Sequence, residues 1–408
     1  MLLHQVKLPH FKHSAESETV KLPMPDKVVI SMAQHLGAPC TPTVKVGDKV
    51  KIGDVIGSSE AAMSAPVHSS ISGTVTAITD VLHISGRNMQ SVVIENDGLE
   101  EVSDSVCPPT VENREQFLQA VRNSGSIGLG GAGFPTSLKL GFDPKEKQPD
   151  FLIINGAECE PYITSDYRCF MEEGEDVLEG VLLMLKYLGI PKCIIGIEKN
   201  KPKAIEKMTR LCEKHDNITV KPLKSSYPQG AEKTLIFSTT GRVVKEGTLP
   251  LASGCIVVNS STAAFIAQYI RTGMPLVKRR ITVDGNIVKK PSNFIVPVGM
   301  SIGEIVYYAE LSDKPDRIIL GGPMMGACAF DPDYPLSKTN NAVLMFADSP
   351  VYEPSECIRC GKCVKACSMN LLPTELEHAF DMRDARRLEK LKVNLCAVSY
   401  THLRAHET

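Results

Sequence analysis

At 408 residues the chain exceeds the ~250–300 residues that one hydrophobic core usually serves, so several domains are expected. Hydrophobic content of 43% and charged content of 23% exclude a disordered or collagen-like chain, and a formal net charge of −2 gives no global basic field to recruit nucleic acid. No apolar run reaches the ~18 residues of a spanning helix; Val177 to Ile197 comes nearest but contains Glu179, Lys186 and Lys192. Met1 to Phe11 carries two histidines, Lys7 and Pro9 in place of an apolar signal core. The expectation is a cytoplasmic protein that meets a membrane only through partners.

In chain order, residues 40–95 read as a small all-β unit. Val44 and Val46, Val50 and Ile52, Val75, and Val92 to Ile94 alternate with polar neighbours between Gly-Asp and Ser-Gly turns. The phrases Val-Gly-Asp-Lys-Val and Ile-Gly-Asp-Val-Ile resemble the barrel-sandwich of lipoyl and biotin carriers. The hairpin tip that would carry a cofactor, Ala61 to Pro66, has no lysine, so a docking scaffold is expected in place of a prosthetic arm.

Residues 112–275 alternate helix and strand. A helix over Asn113–Asn123 stops at Gly125, a glycine-rich loop runs from Gly128 to Gly133, and Phe151–Ile154 is a strand. Asp176–Leu188 (helix), Cys193–Ile197 (strand), Lys203–Lys214 (helix) and Ile218–Val220 (strand) follow, predicting a sheet with helices on its faces. In residues 276–347, Asp284-Gly285 predicts a hairpin turn, Ser301 with Glu304 a capping box, and Arg317–Leu320 a strand. A last helix is predicted from Thr374 with Glu377 at N3.

The thirteen cysteines matter by distribution: eight are scattered and read as small buried hydrophobes. Cys357, Cys360, Cys363 and Cys367 have the C-x2-C-x2-C-x3-C spacing of ferredoxin-type [4Fe–4S] sites, in which the first three thiolates hold one cube and the fourth serves another. Structural zinc prefers paired knuckles with a longer insert. Ser368 stands where proline usually follows the run, and the expected second motif near Cys396 does not materialise, so at most one cube can be completed; a one-cluster variant with Cys396 as a substitute ligand is the alternative to truncation. Residues 397–408 read as a non-native tail on a C-terminally truncated chain.

Gly128-Leu-Gly130-Gly131-Ala-Gly133 meets the G-x-G-x-x-G pattern, but the preceding segment is a poor strand and Pro135 crowds the exit, which argues against a Rossmann turn. The longer phrase, Gly128 through Phe134 to Lys139 with Asn155-Gly-Ala-Glu158-Cys-Glu160-Pro161, resembles the flavin and NADH site of the complex I flavoprotein subunit and its relative, the C subunit of the Rnf (Rsx) ion-translocating electron-transport complex. Leu129 and Ala157 depart from the complex I pattern, which has arginine and aspartate there.

The resemblance implies a multidomain α/β and α+β fold: a barrel-sandwich module (1–110), an FMN/NADH-binding α/β domain (111–275), a β-grasp-like SLBB domain (276–347) and a ferredoxin-like iron–sulfur region (348–396). It implies FMN, NAD(H) and [4Fe–4S] clusters as cofactors, with Gly128, Gly130, Gly131 and Gly133 letting the backbone approach the nucleotide. Lys139 is expected near the FMN phosphate, Asn155 and Glu158 on the isoalloxazine or ribityl chain, Glu160 on the nicotinamide, and Phe134 on the NADH adenine. Tyr227, Gly230 and Glu232 form a second expected flavin loop, and Asn259 with Thr262 a phosphate-side patch. No protein acid or base is assigned a catalytic role. The expected partners are the other subunits of a peripheral assembly on the cytoplasmic face of the membrane, and ferredoxin indirectly. A soluble cobalamin reductase-like protein and a non-enzymatic scaffold are the alternatives.

Overall fold

A computed structural model describes residues 4–348 and 356–396; the expected non-native tail, 397–408, lies outside them. Strand β1 (Val20–Lys21) precedes two small sheets made by β2 (Lys27–Ser31), β3 (Thr41–Pro42), β4 (Lys49–Val50), β5 (Val55–Ser58), β6 (Val67–His68), β7 (Gly73–Leu82) and β8 (Asn88–Asn96). Their orders are β2-β8-β7-β4 and β3-β5-β6, and between them Val28, Ile30, Ile56, Val67, Val75 and Ile94 make a dry core. These inward positions are the alternating apolar residues of short strands, as a sandwich requires.

A helix, α1 (Arg114–Asn123), is capped by Asn113, whose side chain accepts from the Gln116 amide at 3.0 Å. After it come α2 (Thr136–Leu140), β9 (Phe151–Gly156), α3 (Ser165–Leu188), β10 (Lys192–Glu198), α4 (Pro202–Cys212), β11 (Ile218–Leu223), α5 (Glu232–Thr240), β12 (Cys255–Asn259) and α6 (Ser260–Thr272). The four strands are all parallel in the order β11-β10-β9-β12. Both faces are covered, so β9 reads as a continuous apolar run, with Leu152, Ile153 and Ile154 fully buried. From β9 the chain moves outward through β10 and β11, then returns to β12 on the other side of β9. The carboxyl ends of β9 and β12 therefore flank a topological switch point, where open parallel sheets bind ligands. Helix α3 begins at Ser165, before the expected Asp176, and loses helical geometry at Glu173. Tyr167, Cys169 and Phe170 bury its early turns against the sheet, a tertiary gain that local propensity does not report.

The third unit contains β13 (Lys278–Asp284), β14 (Ser292–Pro297), α7 (Ile302–Ala309), β15 (Arg317–Leu320), β16 (Ala327–Ala329) and β17 (Ala342–Phe346), in the sheet order β1-β14-β13-β17-β15-β16. The Ser301–Glu304 capping box is formed. Strands β13 and β14 are antiparallel, but a longer connection over 285–291 replaces a tight Asp284-Gly285 turn; the Asp284 carboxylate is tied to the Gly285 amide at 2.7 Å and to His13 at 2.9 Å. The first strand of the sheet, β1, comes from the N-terminal segment, with Val20 opposite Phe294.

Three short helices end the described chain: α8 (Lys362–Ala366), α9 (Pro373–Asp381) and α10 (Ala385–Lys390). Helix α9 starts at Pro373 with no side-chain cap, because proline at N1 presets the first turn, in place of a Thr374 cap. Among the described residues no helix is long and apolar enough to cross a membrane.

Candidate functional site

The glycine loop runs from the end of α1 to α2, without a preceding strand, and lies over the switch point. The Gly128 amide donates to Phe134 O at 2.8 Å and the Gly133 amide to Gly128 O at 3.2 Å, closing the loop on itself. Leu129 is gripped from both sides: its amide donates to Thr262 Oγ1 at 3.0 Å, and its carbonyl accepts from Arg279 at 2.8 Å. Burial draws Arg279 down to about 10, so it stays charged at neutral pH. Gly131 and Gly133 have φ of +105° and +63°, a region that disfavours residues with a Cβ. A Cβ on Gly131 would meet nothing within 4 Å, so the loop opens there into free space. Among the described residues, the Gly130, Gly131 and Ala132 amides donate to no protein group, and all three residues are exposed. Exposed, unpaired consecutive amides on a positive-φ turn fit an anionic phosphate.

Asn155 and Asn259 end neighbouring strands and stand opposite each other in register. The Asn259 side chain caps α6 by accepting from the Thr262 amide at 3.3 Å, and its Nδ2 donates to Asp166 at 2.7 Å. A Cβ on Gly130 would lie 3.2 Å from Asn259 Nδ2, which brings the loop backbone down onto that asparagine. Asn155 Nδ2 donates to Gly230 O at 2.9 Å, fixing the Tyr227–Glu232 stretch as the opposite wall. Lys139 donates to Glu232 Oε1 at 3.0 Å and to Val257 O at 3.1 Å, so this expected phosphate ligand already has a counter-ion. Phe134 is half-buried, and Tyr227 is buried.

The two glutamates separate. The Glu158 carboxylate, 3% exposed, accepts from the Asp166 amide at 2.7 Å and lies 3.9 Å from Lys201 Nζ. Burial encloses this carboxyl within the protein and pushes its pKa up. Glu160 accepts from the Met324 amide at 2.9 Å, and in both glutamates the other carboxylate oxygen is buried without a hydrogen-bond partner. A Cβ on Gly322 would fall 2.2 Å from Glu160 Oε2, so the Gly321–Met324 turn can reach this carboxyl only because glycine stands there. Burial raises Glu160 from 4.5 to about 7.

That shift makes a prediction. A raised acid is unpenalised below its unfolded value, and stability is lost as pH climbs from there through the folded one. Glu160→Gln keeps an acceptor for Met324 without the charge. In the cofactor-free chain it should add up to about 3 kcal/mol at pH 8 and almost nothing at pH 4. Urea unfolding at both pH values checks this, and a gain independent of pH would contradict it.

Sequence reasoning missed three residues. Asp166 orders Asn259 and Ser261 (2.7 Å to each) from a helix start with no motif of its own. Arg279 belongs to a basic run, Lys278 to Arg280, that is odd on a buried strand and could have been noticed. Lys12 gave no signal.

The cysteine run lies on a tight turn in which Arg359 and Gly361 have φ of +54° and +71°. Cys357, Cys360 and Cys363 are exposed, and Cys367 and Cys396 half-buried. The Arg359 amide lies 3.4 Å from Cys357 Sγ, and the Leu371 amide 3.4 Å from Cys367 Sγ, as donors to the two sulfurs. Among the described residues no three such ligands gather at metal-binding distance, so the match to a cluster rests on the thiol donor set and these amides. Lys392 Nζ donates to Glu246 at 2.8 Å, tying this region to the parallel-sheet unit.

Glycine loop and switch point define an open α/β nucleotide-binding unit with a phosphate cradle. Residues 121–268 match the Nuo51 FMN-binding domain and residues 3–99 the RnfC barrel sandwich hybrid domain. Over 358 residues the chain is 41% identical to the C subunit of the Na(+)-translocating ferredoxin:NAD(+) oxidoreductase complex of Acetobacterium woodii, covering 86% of this chain and 81% of the relative. It is 40% identical over 373 residues to the proton-translocating counterpart of Clostridium ljungdahlii (90% and 81%). To the C subunit of the ion-translocating oxidoreductase complex of Rhodobacter capsulatus it is 35% identical over 397 residues (95% and 76%). The chain belongs to this family, the C subunits of the Rnf-type ion-translocating oxidoreductase complexes. The crystal structure of an air-oxidised NAD+-reducing [NiFe]-hydrogenase shares the fold, with a TM-score of 0.50 and 23% identity over 58% of this chain and 47% of that one.

Proposed function

We propose that the chain passes electrons between NAD(H) and iron–sulfur centres by way of FMN, as the C subunit of a membrane-bound ferredoxin:NAD+ oxidoreductase that couples the reaction to ion translocation. The observation that carries this reading is the glycine loop, with its unpaired amides, seated over the carboxyl ends of β9 and β12. FMN, when bound, supplies the change from a two-electron hydride to single electrons that a cluster can take.

The protein's contribution is positional. Gly128 to Gly133 shape the cradle, Gly130 and Gly131 present amides to the phosphate, and Thr262 and Asn259 hold the loop in place. Asn155 fixes the opposite wall through Gly230, and Tyr227 packs behind it. Lys139 with Glu232 sets a fixed charge pair below the cradle. Glu160 is read as the nicotinamide-side carboxyl and Phe134 as the adenine-side ring, while Glu158 braces the turn that carries Glu160. Cys357, Cys360 and Cys363 would hold one [4Fe–4S] cube, with Cys396 as a substitute fourth ligand, and Cys367 would serve a second cube. The division at residues 110, 275 and 347, and peripheral attachment on the cytoplasmic face, belong to the same reading.

Anaerobic purification of the full chain, with flavin and iron assays, tests it. About one FMN per chain, bleached by NADH, is expected from a single cradle. A chain that cannot be reconstituted with FMN would instead be a scaffold. The match over residues 3–99 favours this family over a cobalamin reductase, which is expected to lack such a barrel.

A further inference from the structure

The segment before β1 contributes no residue to the site described above, yet it crosses two of its loops, the Tyr227–Glu232 stretch and the 158–163 turn. Val6 and Tyr227 exchange two backbone hydrogen bonds, of 2.8 and 2.7 Å. The Gln5 side chain donates to Gln229 at 3.0 Å and accepts from Ser226 at 2.9 Å. Farther along, the Tyr162 amide donates to His10 O at 2.9 Å, and the Phe11 ring stacks on Tyr162 at 5.0 Å. Lys12 Nζ then donates to the carbonyl oxygens of Glu158 at 3.0 Å and Glu160 at 2.8 Å, and to that of Ile163. Ser14 and Thr164 hydroxyls meet at 2.6 Å beyond it.

An ammonium has three donors and no acceptor. Here all three go to carbonyls of one short turn, in which Glu158 and Tyr162 both hold positive φ, +45° and +70°. Non-glycine residues keep such a conformation only where their surroundings over-determine it. Lys201 Nζ donates to Ala157 O at 3.0 Å and braces the near end of the turn. The far end, which carries Glu160, has Lys12.

We propose that Lys12 is a positioning residue of the nicotinamide–flavin site, clamping the 158–163 turn by its three carbonyls so that Glu160 is held ready, and that residues 5–14 form a strap joining this turn to the Tyr227 loop. The inference rests on the reading of this site given under the proposed function. The groups facing the Glu158 carboxyl are Lys12 from the strap, Lys201 ahead of α4, and Asp166 and Tyr167 in the first turn of α3, while Glu198 at the end of β10 shares Lys201 with it. Lys12 and Lys201 favour the ionised carboxyl, so removing Lys12 raises its pKa further.

The test uses the full chain, purified anaerobically without cofactor, as wild type, Lys12→Met and the exposed control Lys203→Met. Deuterium uptake by the amides of 157–163 is measured first, then FMN affinity by fluorescence titration across pH. Lys12→Met should speed uptake in that turn and weaken FMN binding, each about tenfold or more, with the binding profile's midpoint moved to higher pH. Lys203→Met should match wild type. Wild-type uptake, affinity and pH midpoint in Lys12→Met would overturn the inference. Failure of the wild-type chain to bind FMN would overturn the underlying reading, while the uptake comparison, which needs no flavin, still decides the clamp. Should Lys12→Met not fold, Lys12→Gln, a neutral donor, is compared in the same way.

Discussion

FMN affinity should fall about 100-fold when Asn259 is replaced by leucine, the equivalent of roughly 3 kcal/mol. Three losses coincide at this residue. The cap on α6 disappears, typically costing about 1 kcal/mol. Asp166, deprived of Nδ2, keeps only Ser261 and the cost of a half-satisfied, partly buried carboxylate, about 1–3 kcal/mol. A branched side chain then rises beneath Gly130, where the backbone is already close. The loop that Thr262 and Arg279 hold at Leu129 would be displaced from above the switch point, and fluorescence titration of the cofactor-free chain measures the result. Asn259→Asp separates the contributions: it restores the cap acceptor but faces Asp166 with a like charge, so it should fall between wild type and leucine. Wild-type affinity in the leucine variant would mean that FMN is held elsewhere.

Iron and acid-labile sulfide should drop below about a tenth of wild type in Cys360→Ser, with FMN content unchanged. Cys360 sits between the two positive-φ positions of its turn and is exposed, so its thiol has no packing role to lose. Cys169 is the contrast: it is buried on the inner face of α3, and burial raises its pKa well above the ordinary thiol value, which keeps it protonated and inert. Cys169→Ser should therefore leave iron content intact while lowering stability. Equal iron in wild type and Cys360→Ser would remove the ferredoxin reading of the run.

The comparison of these two cysteines also shows what a sequence can carry. Spacing distinguishes Cys360 from Cys169 because ligand geometry on a tight turn is local. The Ser301 capping box was legible for the same reason, and so was the rejection of a Rossmann turn, since Pro135 and the missing strand are neighbours of the glycines. The partners of the site residues were not legible. Lys139 finds Glu232, Leu129 finds Arg279, and Glu158 is enclosed by Lys12 and Lys201 through contacts that span large sequence separations. The early turns of α3 were missed because Tyr167, Cys169 and Phe170 owe their helix to the sheet beneath, not to their own propensities.

The pairing of Val20 with Phe294 has a consequence for how the chain comes into being. Synthesis is vectorial, at about 5–20 residues per second, so the amino terminus waits many seconds before its neighbour in the third sheet leaves the ribosome. Closing a loop of that size carries an entropic debt that no local contact offsets until the partner arrives. Strand β1 can therefore pair with β14 only after the segments of the barrel sandwich and the parallel sheet that lie between them have been made.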